Sequence, residues 1–204
     1  QDLAALYRAA ALNEDHNLPP VAIPYHEYAL DEQSHPERWQ PLLDRWKKTY
    51  TPPPDLELPL DYPRPSNIHH FGADHIEVLD QQLAKELQQL TEKAGCTTFM
   101  SMAAILQVLL YRYTGQRNFG LGMPISGRTQ REFEEIGGIM HNTVPLNVLI
   151  DPALSFTSHL KQVRRDILTG FQYQRVPFEK MVQAAIPFRH RIDNPLFKVI
   201  TQYH

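Results

Sequence analysis

The chain has one cysteine, Cys96, in 204 residues. No internal disulfide is possible, so the fold must be held by its core. A single half-buried thiol suits a reduced, cytoplasmic protein. A large excess of charge of one sign is also missing, with 20 Lys and Arg against 23 Asp and Glu. The formal net charge of -3 gives no basic footprint, which argues against nucleic acid as a partner. No apolar run is long enough to span a bilayer, which argues against a membrane role. There is no internal repeat, and no glycine loop of the kind that cradles phosphates. The opening, QDLAALYRAA, has no initiator methionine and is not shaped like a signal peptide. Leu3, Leu6 and Tyr7 fall at helical spacing. The expectation is the middle of a helix in a chain cut from something longer.

Proline, by contrast, is abundant, and it divides the chain. Residues 1–50 read as a helical lead-in. Leu3 to Ala11 is a helix remnant, and Pro36 to Lys48 is a helix with Trp39, Leu42, Leu43 and Trp46 as its core stripe. Residues 51–66, TPPPDLELPLDYPRPS, are extended, because proline fixes φ and has no N–H. Residues 67–204 then mix strands and helices. His75 to Leu79 reads as a short strand. Asp80 caps a helix with Leu83, Leu87, Leu90 and Ala94 on one face, stopped by Gly95. Thr98 opens a second helix, Phe99 to Tyr113, apolar nearly all round and so buried on most sides. Ser155 caps a third, with Phe156, Leu160, Val163 and Ile167 inward. Pro177 starts a short helix to Ala185, and Leu196 to Tyr203 reads as a strand. The class is α+β, a mixed sheet with packed helices.

The organising stretch is Gly120 to Pro145, GLGMPISGRTQREFEEIGGIMHNTVP. It reads as strand, polar excursion, strand. Glycine inside an apolar strand marks close approach of a ligand or of other backbone, which applies to Gly120 and Gly122. Along the second strand Met140, Asn142, Val144, Leu146, Val148 and Ile150 share a face, and Asn142 is its one polar member. A buried amide must find partners. Asn142 is therefore either a satisfied core group or a ligand-facing one. Pro145 cannot donate to a ladder, so its strand lies at an edge or is bulged there.

Gly122-x-Pro124-x-x-Gly127-Arg128, followed by Gly138-x-x-x-Asn142-Thr143, resembles the condensation domains of non-ribosomal peptide synthetases. Those carry GxPxxGR and then GxFVNT; here Met140 and His141 stand for Phe and Val. Further motifs follow the same order. Tyr25-His26-Glu27-Tyr28-Ala29 is similar to YxDYAxW, with Asp31 in place of Trp. LELPLDYPRP is similar to the family linker. Tyr173 to Glu179, YQRVPFE, is similar to HQDYPFE. Arg189 to Leu196, RHRIDNPL, is similar to RDxSRNPL, with His190 and Asp193 as departures.

The resemblance implies a lobe like chloramphenicol acetyltransferase, one of two lobes that meet around an active site. It implies amide formation, in which an acceptor aminoacyl thioester attacks a donor acyl thioester. The implied partners are donor and acceptor peptidyl carrier proteins, a neighbouring adenylation domain and the other, N-terminal lobe. Phosphopantetheine arrives on the carriers, and no cofactor is bound directly. The signature HHxxxDG is expected upstream of Gln1, so the catalytic histidine is not assigned here. Residues expected to face the substrate tunnel are Asn142, His141, Ser126, Tyr25, Gly120, Gly122, Arg128 and Gly138. HHFGADH, His69 to His75, fits HHxxxD and lacks the final glycine; a surface loop is expected there, neither the catalytic signature nor a metal site. Two other readings stay open: an epimerisation domain of the same fold, and a non-catalytic lobe that docks carriers or partner enzymes.

Overall fold

In the computed structural model, residues 2–16, 18, 23–63, 72–128, 130–134, 136–186 and 196–203 are described. They group into two compact units. The first comprises residues 1–36 and 128–140, and the second residues 37–127 and 141–204.

The first unit holds helix α1 (Asp2–Leu12), helix α2 (Tyr25–Ser34) and the excursion that begins at Arg128, with one short 3-10 turn, Arg131–Phe133. On α1 only Ala9 is buried, while Leu3 and Tyr7 are exposed. On α2, Tyr28 meets the Phe133 ring edge-on, with centroids 5.1 Å apart. Its hydroxyl donates to Glu32 at 3.4 Å. Burial, reinforced by that carboxylate, pushes the Tyr28 phenol up to about 12.

The second unit is built on a mixed sheet in the order β2-β1-β3, from β1 (Asn118–Ile125), β2 (Asn142–Leu149) and β3 (Val199–Ile200). β1 and β2 are antiparallel, with Gly122 opposite Pro145 and Ile125 opposite Asn142. β1 and β3 are parallel, with Leu121 opposite Val199. Pro145 thus lies on a strand at the sheet edge among the described residues, where its missing donor costs no ladder bond. Only Val199 and Ile200 pair as a strand, fewer than the expected run from Leu196 to Tyr203.

Helices cover this sheet. Asp80 caps α4 (Gln81–Lys93) by accepting from the backbones of Gln82 and Leu83, and Thr97, not Thr98, caps α5 (Thr98–Thr114). Each such cap is worth about 1 kcal/mol. Gly95 and Gly115 follow the two helices at φ +64° and +71°, in the left-handed region that favours glycine. A buried hydroxyl pair, Thr91 to Ser101 at 2.7 Å, ties α4 to α5. Ser155 caps α6 (Phe156–Phe171), which buries Leu160, Val163 and Ile167 as expected. Those residues join Phe119, Leu121, Met123, Val144, Leu146 and Val148 in one core. A second cluster joins Leu43 and Trp46 of α3 (Gln40–Thr49) to Met181 and Val182 of α7 (Phe178–Ala185), with Tyr173, Val176, Leu196 and Phe197.

Four local expectations are corrected. The helix expected from Pro36 splits into a 3-10 turn, Pro36–Arg38, and α3, with Trp39 between them. Pro177 stands just before α7 as its N-cap, since without an N–H it suits a helix entrance. α5 is not buried all round: Met102, Ile105, Leu109 and Tyr113 form an exposed stripe, and Leu83 on α4 is exposed too. Apolar composition by itself does not decide which face finds a neighbour. The segment from His75 to Leu79 forms no strand and pairs with no described strand, and Ile76 and Val78 are 84% and 90% exposed. Alternation supplies a strand's faces; a ladder also needs a partner edge.

Residues 51–63 form neither helix nor strand but are not loose. Leu56 is buried in the first core and Leu58 packs against it. The Gln116 side-chain amide donates to the Asp55 carbonyl at 2.8 Å and accepts from Glu57 N–H at 2.7 Å. Asn147 donates to the Thr51 carbonyl at 2.7 Å.

Candidate functional site

Asn142 begins β2, where its side chain shares the inward face with Val144 and Leu146. Its amide is fully engaged on one segment of backbone. Nδ2 donates to the carbonyls of Gln174 at 3.0 Å and Val176 at 2.7 Å, and Oδ1 accepts from Phe178 N–H at 3.1 Å. Both amide hydrogens and one oxygen lone pair are thereby used. Of the two alternatives open in the sequence, this geometry fits the satisfied core group. Asn142 pins the turn in YQRVPFE that leads into α7, so the two motifs are halves of one contact.

Gly120 and Gly122 were expected to face the substrate tunnel, with a ligand or other backbone coming close; here it is the chain's own residues that come close. Both are buried, and a Cβ at Gly120 would strike the Leu196 carbonyl oxygen. At Gly122 it would lie 2.6 Å from the Phe197 ring. The small residues admit the chain's own return past β1, which needs close backbone approach.

Ser126 and His141 lie just beyond the last ladder pair, Ile125 opposite Asn142, at the same end of the hairpin. Both are exposed. Of the expected substrate-facing residues in the second unit, these two present their polar groups to solvent.

Tyr25, Arg128 and Gly138 come together within the first unit. The Tyr25 ring fills the place where a Gly138 side chain would stand, and its hydroxyl donates to the Ile139 carbonyl at 2.9 Å. The Arg128 guanidinium donates to the carbonyls of Phe133, Glu134 and Gly138, and reaches the Met140 sulfur at 3.5 Å. Gly127, at φ +68°, turns the chain immediately before it. Arg128 thus serves as the hub of its own loop. Backbone oxygens are strong acceptors, and a planar fork of five donors satisfies several at once.

His69 and His70 lie outside the described residues, as do Arg189 to Pro195. His75 and Glu77 form an exposed pair at 3.0 Å. Among the described residues no group of three His, Cys, Asp or Glu side chains could hold a metal ion. No single helix there is long and apolar enough to cross a membrane. Sequence reasoning did not mark Asp166, a half-buried acid between Val163 and Ile167. Its place beside the inward stripe of α6 was the available signal. Burial raises its carboxyl to about 6, opposed by the neighbouring Arg165.

The family model of the condensation domain matches residues 1–204. The chain belongs to the condensation-domain family. This condensation domain is 35% identical over 206 residues to phosphinothricin tripeptide synthetase PhsC of Streptomyces viridochromogenes, covering 98% of this chain and 19% of that protein. Among solved structures it superposes on the X-domain from teicoplanin biosynthesis with a TM-score of 0.84 at 23% identity, over 97% of this chain and 46% of the other. The condensation domain from the monacolin K polyketide synthase MokA superposes with a TM-score of 0.71 at 22% identity, over 91% and 45%. At those identities the likeness shows the fold alone. The chain spans less than half of each solved chain and about a fifth of PhsC.

Proposed function

We propose that this condensation domain takes part in forming an amide bond between a donor acyl thioester and an acceptor aminoacyl thioester, each carried on phosphopantetheine by a carrier protein. The observation that carries the reading is the family match over residues 1–204, with the motifs in family order. Thioester aminolysis depends more on orienting two tethered reactants than on strong acid–base chemistry. The residues of this chain suit such a role. Asn142 and Arg128 fix backbone, and Ser126 and His141 offer exposed polar groups at the hairpin end. The proton-handling histidine is assigned to the HHxxxDG signature outside this sequence, and the partners to two carriers, an adenylation domain and a second lobe.

The test is to load donor and acceptor carriers and follow the carrier-bound product by intact mass spectrometry. Product is expected with the synthetase that contains this chain, and none above buffer with the 204-residue chain alone. A second reading, a docking lobe, draws on the teicoplanin X-domain, which has also been solved in complex with OxyB. Absence of product from the complete synthetase, with carriers still bound, would favour docking over catalysis. An exchange of the donor's α-proton without condensation would favour epimerisation.

A further inference from the structure

The second unit contains an open, solvent-facing cavity of about 270 Å³ between α3, the outer edge of β2 and α6, with Thr49, Asn147 and Thr169 exposed at its rim. Trp46, Tyr50 and Tyr173 give it aromatic walls, and Asn147, Asp166 and Thr169 give it polar ones. Trp46 and Tyr50 are stacked, with centroids 4.1 Å apart and planes 19° from parallel. Asp166 is the single charged side chain in the lining; among the described residues it has no hydrogen bond or close ion pair, and Arg165 is its neighbouring opposite charge. The Tyr50 hydroxyl is likewise buried without a described partner, and that burial pushes its phenol up.

We propose that this cavity binds a small primary alkylammonium ion, its carbon chain against Trp46 and Tyr50 and its charge at Asp166. Each alternative class fails on one feature. An anion would meet an unpaired carboxylate. A metal ion would find one carboxylate and no imidazole or thiolate. A neutral apolar guest would leave Asp166 desolvated and uncompensated. An organic cation relieves the carboxylate and gains from the aromatic faces. A primary ammonium fits better than a quaternary one because it brings three donors. The Asp166 carboxylate, the Thr169 hydroxyl and the Asn147 Oδ1 can accept them; the Asn147 amide nitrogen is already given to Thr51. The site is independent of amide formation, and its test does not involve carriers.

n-Butylammonium is titrated into the ¹⁵N-labelled full chain, with the Trp46 indole and the Asn147 and Thr169 amides as reporters. Saturable shifts are expected, with half-saturation below about 10 mM. Asp166→Asn and the neutral isostere n-butanol should each weaken binding by about tenfold or more. Binding should also weaken from pH 7.5 to pH 5. Asp166 is the lining group that titrates in that window, while burial moves the Tyr50 phenol away from it. Outside the lining, α3 carries Asp44, Arg45, Lys47 and Lys48, α6 carries His159, Lys161, Arg164 and Arg165, and β2 carries no charge. The melting temperature of Asp166→Asn, expected to equal or exceed the parent's, shows that the variant is folded. Should it unfold, n-butanol and the pH series carry the test on the parent chain. Equal affinity for butylammonium and butanol, equal binding by the folded variant, or no saturable shift would overturn the proposal.

Discussion

Replacing Asn142 by alanine should cost the fold several kcal/mol through a loop more than thirty residues away. The side chain satisfies the Gln174 and Val176 carbonyls and the Phe178 N–H, at 3.0, 2.7 and 3.1 Å. Alanine removes all three contacts and leaves three partly buried backbone groups to seek water. A net value of about 1 kcal/mol per hydrogen bond sums to about 3 kcal/mol. For a chain of this length that is a drop in melting temperature of roughly 6–12 °C. Asn142→Asp sharpens the argument. It keeps an acceptor for Phe178 N–H but sets a carboxylate oxygen against two carbonyl oxygens. At neutral pH it should be no better than alanine, and it should recover stability as pH falls and the carboxyl protonates and can donate. The assays are thermal and urea denaturation of the three proteins at pH 7 and pH 4, with hydrogen exchange at the start of α7. If Asn142→Ala melts within a degree of the parent, or if Asn142→Asp is better tolerated at pH 7, the clamp is not what Asn142 does.

Three further outcomes are expected. Gly120→Ala should destabilise by about 1–3 kcal/mol, because its Cβ meets the Leu196 carbonyl, which cannot swing aside as a flexible side chain could; a neutral urea midpoint would contradict the close approach. His159 is 5% exposed with neither ring nitrogen partnered among the described residues, and burial lowers its folded pKa. Its neutral form is favoured by folding, so its stability contribution is complete above the unfolded value near 6.5 and declines as pH falls below it, by at most about 1.4 kcal/mol per pH unit. The melting advantage of His159→Leu should therefore widen from pH 7 to pH 5, and parallel profiles would refute this. Changing His69, His70 and Asp74 together to alanine in the complete synthetase should leave the condensation rate nearly unchanged; a fall of about a hundredfold or more would place the base there.

What the sequence made legible was local chemistry with a fixed geometry. Asp80, Gly95, Gly115 and Ser155 act at the helix ends where their side chains or backbone freedom place them. Pro145 announced its edge strand. Less legible were the identities of distant partners. Gly120 and Gly122 signalled close approach, but nothing in their neighbourhood said that Leu196 and Phe197 would be what approached. Asn142 signalled a lone amide on an apolar face, and its three partners sit in a turn whose carbonyls look the same for every residue type. Ile76 and Val78 alternate as a strand should, yet alternation carries no information about the strand opposite.

The parallel pairing of β1 with β3 bears on the order in which this domain is made. β1 acquires β2 across a short excursion, but its other edge waits for Val199 and Ile200, almost eighty residues later. Contacts at such separation form late, because a long loop must close before they return any energy. A nascent chain on the ribosome therefore carries β1 with that edge open until the segment holding Val199 and Ile200 emerges. Open strand edges are templates for unwanted pairing. Here that edge carries Gly120 and Gly122, whose poor strand propensity makes it a weak template while it waits. The residues that let β3 in also keep strangers from arriving first.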